Sequence, residues 1–249
     1  MNYDALGRPK KITEQEQSPL ANVTALTYVK TYAYDLADNP TTFTLKKGST
    51  TVQTLGYTYD DLHRVAAVQE NGVTQASYTY NADSRRTSLT YANGAQTSYT
   101  YNLAGWVTKV INSVGGSTVS SYTYAYYATG SVKTIKDINN ITTAYTYDQL
   151  GRLTKSTVTN GPTTQYTYDA SGNRTQTKVT VQSPWTANYV YDANNRLISE
   201  TSNQGGTHTT AYLYDNNGNL TSTTTGSSTT MYTCNTMNSS PQTACDGTI

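Results

Sequence analysis

The sequence predicts an all-β fold in which antiparallel β-hairpins stack into a ribbon that curls into a spiral or tube-like sheet. Three observations predict it. A tyrosine-rich turn recurs ten times along the 249 residues, at intervals of roughly two dozen residues, the signature of stacked supersecondary units. A second set of turn residues, mostly Asn-Gly and Gly-Gly, falls between those turns, so each repeat reads as one hairpin. The composition suits a thin sheet: Leu, Ile, Val and Phe together make up under a fifth of the chain, and 24 Tyr stand against a single Phe. Tyr buries a large ring and keeps a hydroxyl for water or a partner.

The tyrosine before each turn, or its counterpart, falls at Tyr3, Tyr34, Tyr59, Tyr80, Tyr101, Tyr126, Tyr147, Tyr168, Tyr191 and Tyr214. The next residue opens the turn: Asp4, Asp35, Asp60, Asn81, Asn102, Tyr127, Asp148, Asp169, Asp192 and Asp215. A short carboxylate or amide there can cap a type I turn by accepting backbone N–H groups. Three residues later stand Gly7, Asp38, His63, Ser84, Gly105, Gly130, Gly151, Gly172, Asn195 and Gly218, at the place where the chain leaves with positive φ. The structural turn residues expected from this pattern are Asp4, Gly7, Asp60, Asp148, Gly151, Asp169, Gly172, Asp192, Asp215 and Gly218.

Between these turns lie "ENG" at Glu70, "ANG" at Ala92, "VGG" at Val114, "TNG" at Thr159 and "QGG" at Gln204, the hairpin tips of the opposite rim. In each "YxY" strand two rings sit at i and i+2, on one face. Stacked repeats then form a tyrosine ladder on the better protected face: Tyr57, Tyr59, Tyr78, Tyr80, Tyr99, Tyr101, Tyr145, Tyr147, Tyr166, Tyr168, Tyr189, Tyr191, Tyr212 and Tyr214. An arginine follows five of the turns, at Arg8, Arg64, Arg85, Arg152 and Arg196. It either pairs with a turn Asp of an adjacent repeat or remains a solvated charge. The long first interval contains "KKITEQEQSPLANVTA", expected to project from the ribbon as an exposed tip.

The repeats are expected over residues 1–233, with 234–249 an irregular C-terminal loop. Cys234 and Cys245 lie close together there. They form a local disulfide in an oxidising compartment, and otherwise are two reduced thiols. A formal charge of +1 without any basic run argues against nucleic acid or an anionic membrane surface as partner. No stretch approaches the ~20 apolar residues that span a bilayer, and no signal peptide precedes the first repeat. No metal or cofactor site is expected: only His63 and His208 could join the two cysteines around zinc, and the Asp/Asn-rich turns lack the alternating ligands of a calcium loop. Neither histidine has a sequence cue linking it to a nucleophile, so no catalytic residue is expected.

The segments "YDALGR" at Tyr3, "YDQLGR" at Tyr147, "YDASGNR" at Tyr168 and "YDANNR" at Tyr191 resemble the YD repeats of the Rhs family, which includes bacterial Rhs polymorphic toxins, shell-forming components of Tc toxin complexes, and teneurins. The resemblance runs from Tyr3 to about Thr233. It implies a long β-hairpin ribbon that spirals into a hollow shell, enclosing a C-terminal cargo in the toxins. The family's "DPxG"-type core and paired-aspartate self-cleavage site have no counterpart here, so cargo release is carried over to no residue.

The function expected is therefore that of a non-enzymatic, extracellular or cell-surface structural protein whose repeats wall a shell or tube. Its partner is itself, head to tail in a fibre, or the rest of a longer shell. The alternatives are a fragment of the encapsulating shell of a longer Rhs or Tc-type toxin, and a module that binds carbohydrate or a cell-surface partner through open rings such as Trp106, Trp185 or Tyr127.

Overall fold

The computed structural model describes residues 1–16, 26–180, 183–234 and 245–248, excepting the side chains from 233 onward. The chain divides into two compact units, Met1–Thr123 and Tyr124–Ile249. The first is a meander of β1 (Asn2–Tyr3), β2 (Pro9–Glu16), β3 (Leu26–Tyr34), β4 (Pro40–Lys47), β5 (Thr50–Tyr59), β6 (Val65–Glu70), β7 (Val73–Tyr80), β8 (Arg86–Tyr91), β9 (Ala95–Tyr101), β10 (Val107–Val114) and most of β11 (Ser117–Tyr126). The second contains β12 (Val132–Asp137), β13 (Thr142–Tyr147), β14 (Leu153–Val158), β15 (Thr163–Tyr168), β16 (Arg174–Thr180) and β17 (Trp185–Tyr191). It continues with β18 (Leu197–Ser202), β19 (His208–Tyr214), β20 (Leu220–Thr225), β21 (Ser228–Cys234) and β22 (Cys245–Thr248). Within each unit, among the described residues, every pairing is antiparallel and joins strands consecutive in the chain.

Alternation decides the faces. In β5, β7, β9, β13, β15, β17 and β19 the two tyrosines of "YxY" are half-buried and the residue between them is exposed. The outward residue is usually Thr, and these form cross-strand hydroxyl pairs: Thr100 with Thr108 at 3.0 Å, Thr146 with Thr154 at 3.3 Å and Thr167 with Thr175 at 3.0 Å. One face is thus aromatic and the other hydroxylic. Full burial is rare. Only Ala76, Leu89 and Ala187 among the described apolar residues are buried, alongside Thr177, Ser202 and Ser222.

The two rims differ. On the tip rim, the two-residue loops Asn71-Gly72 and Gly115-Gly116 have positive φ at both positions, the twist that a two-residue hairpin requires. On the tyrosine rim, pairing slips by one residue directly after the turn, as where Tyr59 faces Val65 but Thr58 faces Ala67. Such a bulge increases the local twist at the rim.

Two expectations need correction. The first part of the segment expected to project, Lys10 to Glu16, lies in β2, which pairs with β3 from Lys11↔Thr31 to Glu16↔Leu26. Thr13 and Gln15 extend the strand, and Glu14 accepts Lys30 Nζ at 2.8 Å across the pair. The remainder, 17–25, lies outside the described residues. The C-terminal segment is not wholly irregular either: β22 adds to β21 with Cys234 directly opposite Cys245. The disulfide expected between them concerns side chains outside the described set.

At the fourth turn position Gly151 has φ +76°, and a Cβ built there meets nothing within 4 Å. Backbone conformation alone therefore decides what fits. Gly151→Val is expected to destabilise by about 1–2 kcal/mol. Gly151→Asn should cost well under half of that, as Asn195 already holds φ 61° at the equivalent place. Chemical denaturation of both variants checks this; equal losses would place the cost elsewhere.

Candidate functional site

The site begins with one carboxylate. In the second unit, Asp148 Oδ1 accepts the N–H groups of Leu150 at 3.0 Å and Arg152 at 2.9 Å, while the Asp148 carbonyl accepts the Gly151 N–H at 3.0 Å. The same carboxylate brackets the turn at Asp4, Asp60, Asp192 and Asp215. Asp169 Oδ1 accepts the Asn173 N–H at 2.8 Å. Gly7, Gly172 and Gly218 have positive φ at the fourth place, as Gly151 does.

The second carboxylate oxygen reaches the fifth residue. Arg152 Nε donates to Asp148 Oδ2 at 2.6 Å, and Asp4–Arg8, Asp60–Arg64 and Asp192–Arg196 are paired alike. So the arginine pairs with the Asp of its own repeat. Among the described residues, Arg8 alone also meets an aspartate of the next repeat, Asp38. Thus anchored, the guanidinium extends over the neighbouring repeat and lies across its marker tyrosine: Arg8 over Tyr34 at 4.5 Å, Arg64 over Tyr80 at 4.6 Å, Arg152 over Tyr168 at 4.7 Å and Arg196 over Tyr214 at 5.1 Å. Nη1 of Arg64, Arg152 and Arg196 donates to the main-chain carbonyl that opens the next turn, at Asn81, Asp169 and Asp215. Arg85 follows Asn81 instead of an Asp; it pairs with Asp83 and lies 5.9 Å from the Tyr101 ring.

The tyrosine answers in the opposite direction. The hydroxyls of Tyr34, Tyr80, Tyr101, Tyr168 and Tyr214 donate to the carbonyls of Pro9, Val65, Arg86, Leu153 and Leu197, each the residue after the arginine of the preceding repeat. Tyr59 and Tyr191 do the same to Pro40 and Arg174, where Asn39 and Asn173 replace the arginine. Each clamp is thus reciprocal: the arginine bonds forward and the tyrosine bonds back.

The inner tyrosines of "YxY" meet a different cation. Arg86 lies 6.0 Å from the Tyr78 ring and 5.0 Å from the Tyr99 ring, and Arg174 stands likewise between Tyr166 and Tyr189. Tyr212 donates to Glu200 at 3.4 Å. Sequence reasoning missed Arg86 and Arg174; their signal was position, one residue past the fifth turn place, held by Arg85 and Asn173, and in the strand between two inner tyrosines. It also missed a turn on the other rim, where Asp137 Oδ1 accepts the N–H groups of Asn139 and Ile141, and Asn140 has φ 64°. The signal was Asp followed three residues later by Asn, without a tyrosine.

The histidines stay apart. His63 Nδ1 lies 3.2 Å from Asn39 Nδ2, and His208 Nδ1 lies 3.0 Å from the Gly206 carbonyl. Among the described residues no group of three or more His, Cys, Asp or Glu is placed to hold a metal ion. Trp106, Trp185 and Tyr127 are half-buried.

The turn carboxyls are held below the usual range. Main-chain N–H donation dominates at Asp4, Asp148 and Asp192, the Arg64 side chain at Asp60, and an asparagine amide at Asp35, Asp169 and Asp215. Burial pushes Tyr59, Tyr126, Tyr147, Tyr191 and Tyr212 above the ordinary phenol value. A lowered carboxylate contributes stability that is present above its unfolded pKa near ~4 and lost as pH falls through the lower folded value. A raised phenol contributes stability that is present below ~10 and lost as pH rises through the higher folded value. The melting temperature should therefore be flat from about pH 5 to 9 and fall on either side. Asp169→Asn should flatten the acid limb, and an unchanged limb would remove the turn carboxylates as its cause.

Arg152→Ala should destabilise by about 1–2 kcal/mol, from one cation–π contact and the lost hydrogen bonds. Tyr168→Phe should cost about 1 kcal/mol through the Leu153 carbonyl left without its donor. Because phenylalanine keeps the ring, the double-mutant cycle that reports the contact pairs Arg152→Ala with Tyr168→Leu; it should return about 0.5–1 kcal/mol of coupling, and additivity would mean that the two side chains act separately.

No curated protein matches the chain. Solved structures do. The chain superposes on a crystal structure of TcdB2-TccC3-Cdc42 with a TM-score of 0.63 at 16% identity, covering 96% of this chain and 16% of that one. It superposes on the Photorhabdus luminescens Tc holotoxin pore carrying the TccC3 mutation D651A with a TM-score of 0.65 at 16% identity, covering 97% and 16%. The chain therefore spans about a sixth of those structures, and the likeness is one of fold. In sequence, the RHS Repeat family matches residues 59–96, 80–118, 126–163 and 191–230, together more than half of the chain. With the aspartate turn and the tyrosine strand recurring through those same segments, the chain belongs to the RHS repeat family.

Proposed function

We propose that this chain is a length of structural wall: a non-enzymatic, extracellular β-ribbon whose curvature contributes to an enclosing shell, joined to further repeats of the same kind. The reciprocal clamp carries this reading. It spends the chain's charged and aromatic groups on holding one repeat to the next, with the Arg64, Arg152 and Arg196 guanidiniums committed to a ring, a carboxylate and a carbonyl at once. A sheet with a wet hydroxylic face and an aromatic face half-shielded by such clamps can extend by repetition without a thick core. The fold shared with TcdB2-TccC3 and the Tc holotoxin pore, both larger assemblies, supports a wall role within a longer protein.

Small-angle scattering of the isolated chain tests the curvature. At ~4.8 Å per strand, some twenty strands laid flat extend about 100 Å, which gives a radius of gyration of about 30 Å. A curled wall should give about 20 Å. A value near the flat limit would overturn the proposal.

A further inference from the structure

One repeat in the second unit breaks the clamp and leaves a groove in its place. Its turn begins with Tyr127 where the others have Asp or Asn, and Ser131 stands where Arg152 and Arg196 stand in theirs. Tyr127 turns its ring to Tyr147, edge to face at 6.2 Å between centroids, and donates its hydroxyl to the Tyr145 carbonyl at 2.9 Å. Beside them opens a cavity of about 630 Å³ whose lining includes Tyr127, Thr129, Ser131, Tyr147, Asp148 and Gln149. These include the arginine's own position, the ring that it would cover and the carbonyl that it would reach.

The rest of the unit shows what fits such a receptor. At the next two clamps of this kind, the ring of Tyr168 or Tyr214 and the carbonyl of Asp169 or Asp215 receive a guanidinium, at 4.7 and 5.1 Å from the ring and 3.1 and 3.3 Å from the oxygen. Those carbonyls also accept the fourth-position N–H of their own turns, from Gly172 and Gly218. The Asp148 carbonyl accepts the Gly151 N–H, and among the described residues no arginine takes its second lone pair. Where Asn173 replaces the arginine, its amide bonds Asn195 of the neighbouring turn at 2.8 Å. Ser131 is too short to do so.

We infer that the Tyr127–Tyr147 groove is a receptor for a guanidinium supplied in trans, by an arginine of a partner polypeptide docking at this rim. Guanidinium is favoured over ammonium because it is planar, stacks on a ring and still offers in-plane donors to the Asp148 carbonyl and the hydroxyls of Thr129 and Ser131. Lys133 opposes it: its Nζ lies 5.7 Å from the Tyr127 ring centroid, so a like charge borders the site.

The probe is the tripeptide acetyl-Gly-Arg-Gly-amide, titrated into the full chain and followed by the backbone amide NMR shifts of residues 127–151. Saturable shifts are expected at Tyr147, Gln149 and Gly151, with a dissociation constant on the order of millimolar for so small a ligand. The lysine tripeptide should bind at least several-fold more weakly. Ser131→Arg should fill the receptor in cis, abolishing the shifts while raising the melting temperature. Lys133→Gln should tighten binding a few-fold, and it keeps the proposal testable should Ser131→Arg fail to fold. Equal binding of the two tripeptides, no saturation, binding undiminished in Ser131→Arg, or methyl glucoside displacing the arginine peptide at the same amides would each overturn the inference.

Discussion

A carboxylate accepting the N–H groups of residues two and four places ahead is the interaction on which the rest depends. It fixes the turn with one oxygen and leaves the other free to anchor an arginine. Without that anchor the guanidinium would be a long side chain at the rim of a sheet, and an exposed ion pair by itself contributes little. With it, the arginine is aimed: Nε is held, the plane is set, and Nη1 falls on the next turn's carbonyl. Turn, clamp and inter-repeat contact are therefore one arrangement repeated along the chain.

This arrangement explains how a sheet with so few buried apolar residues holds together. Among the described residues only Ala76, Leu89 and Ala187 form a buried apolar set, and large side chains such as Leu36 and Leu103 sit fully exposed at turn tips. Burial alone does not define register in a sheet that is half-wet on both faces. The tyrosine hydroxyl does, because it donates to one particular carbonyl of the preceding repeat, and a slip of one residue would turn both rings to the other face. Threonine pairs on the opposite face add a second set of cross-strand partners at the same register.

Variation at the fifth turn position changes the strength of the connection without changing the fold. Arginine reaches a ring and a carbonyl, asparagine reaches only a neighbouring side chain, and serine reaches neither. A repeat can thus lose its arginine while its strands stay in register, since the main-chain ladder remains, as between β12, β13 and β14.

The sequence by itself determined the hairpins, both rims and the ladder's face, because these rest on local rules: Asp at the first turn position, positive φ at the fourth, and alternation by two along each strand. Asp148, Gly151 and Tyr147 could be assigned their places from that spacing alone. Tertiary structure decided what spacing cannot express. Whether Arg152 pairs within its repeat or across to the next depends on the distance between stacked turns, and it does both, by carboxylate and by carbonyl. The stretch from Lys10 to Glu16 reads as part of an insertion because the interval from Tyr3 to Tyr34 is the longest in the chain, yet β3 offers it an edge and it pairs as a strand. Arg86 and Arg174 acquire aromatic neighbours only when the strands on either side, β7 and β9 or β15 and β17, pair with their own in register. The groove at Tyr127 is the same case in reverse: a departure from the repeat is visible in one dimension, but only stacking shows that its ring, its serine and the next turn's carbonyl border one space.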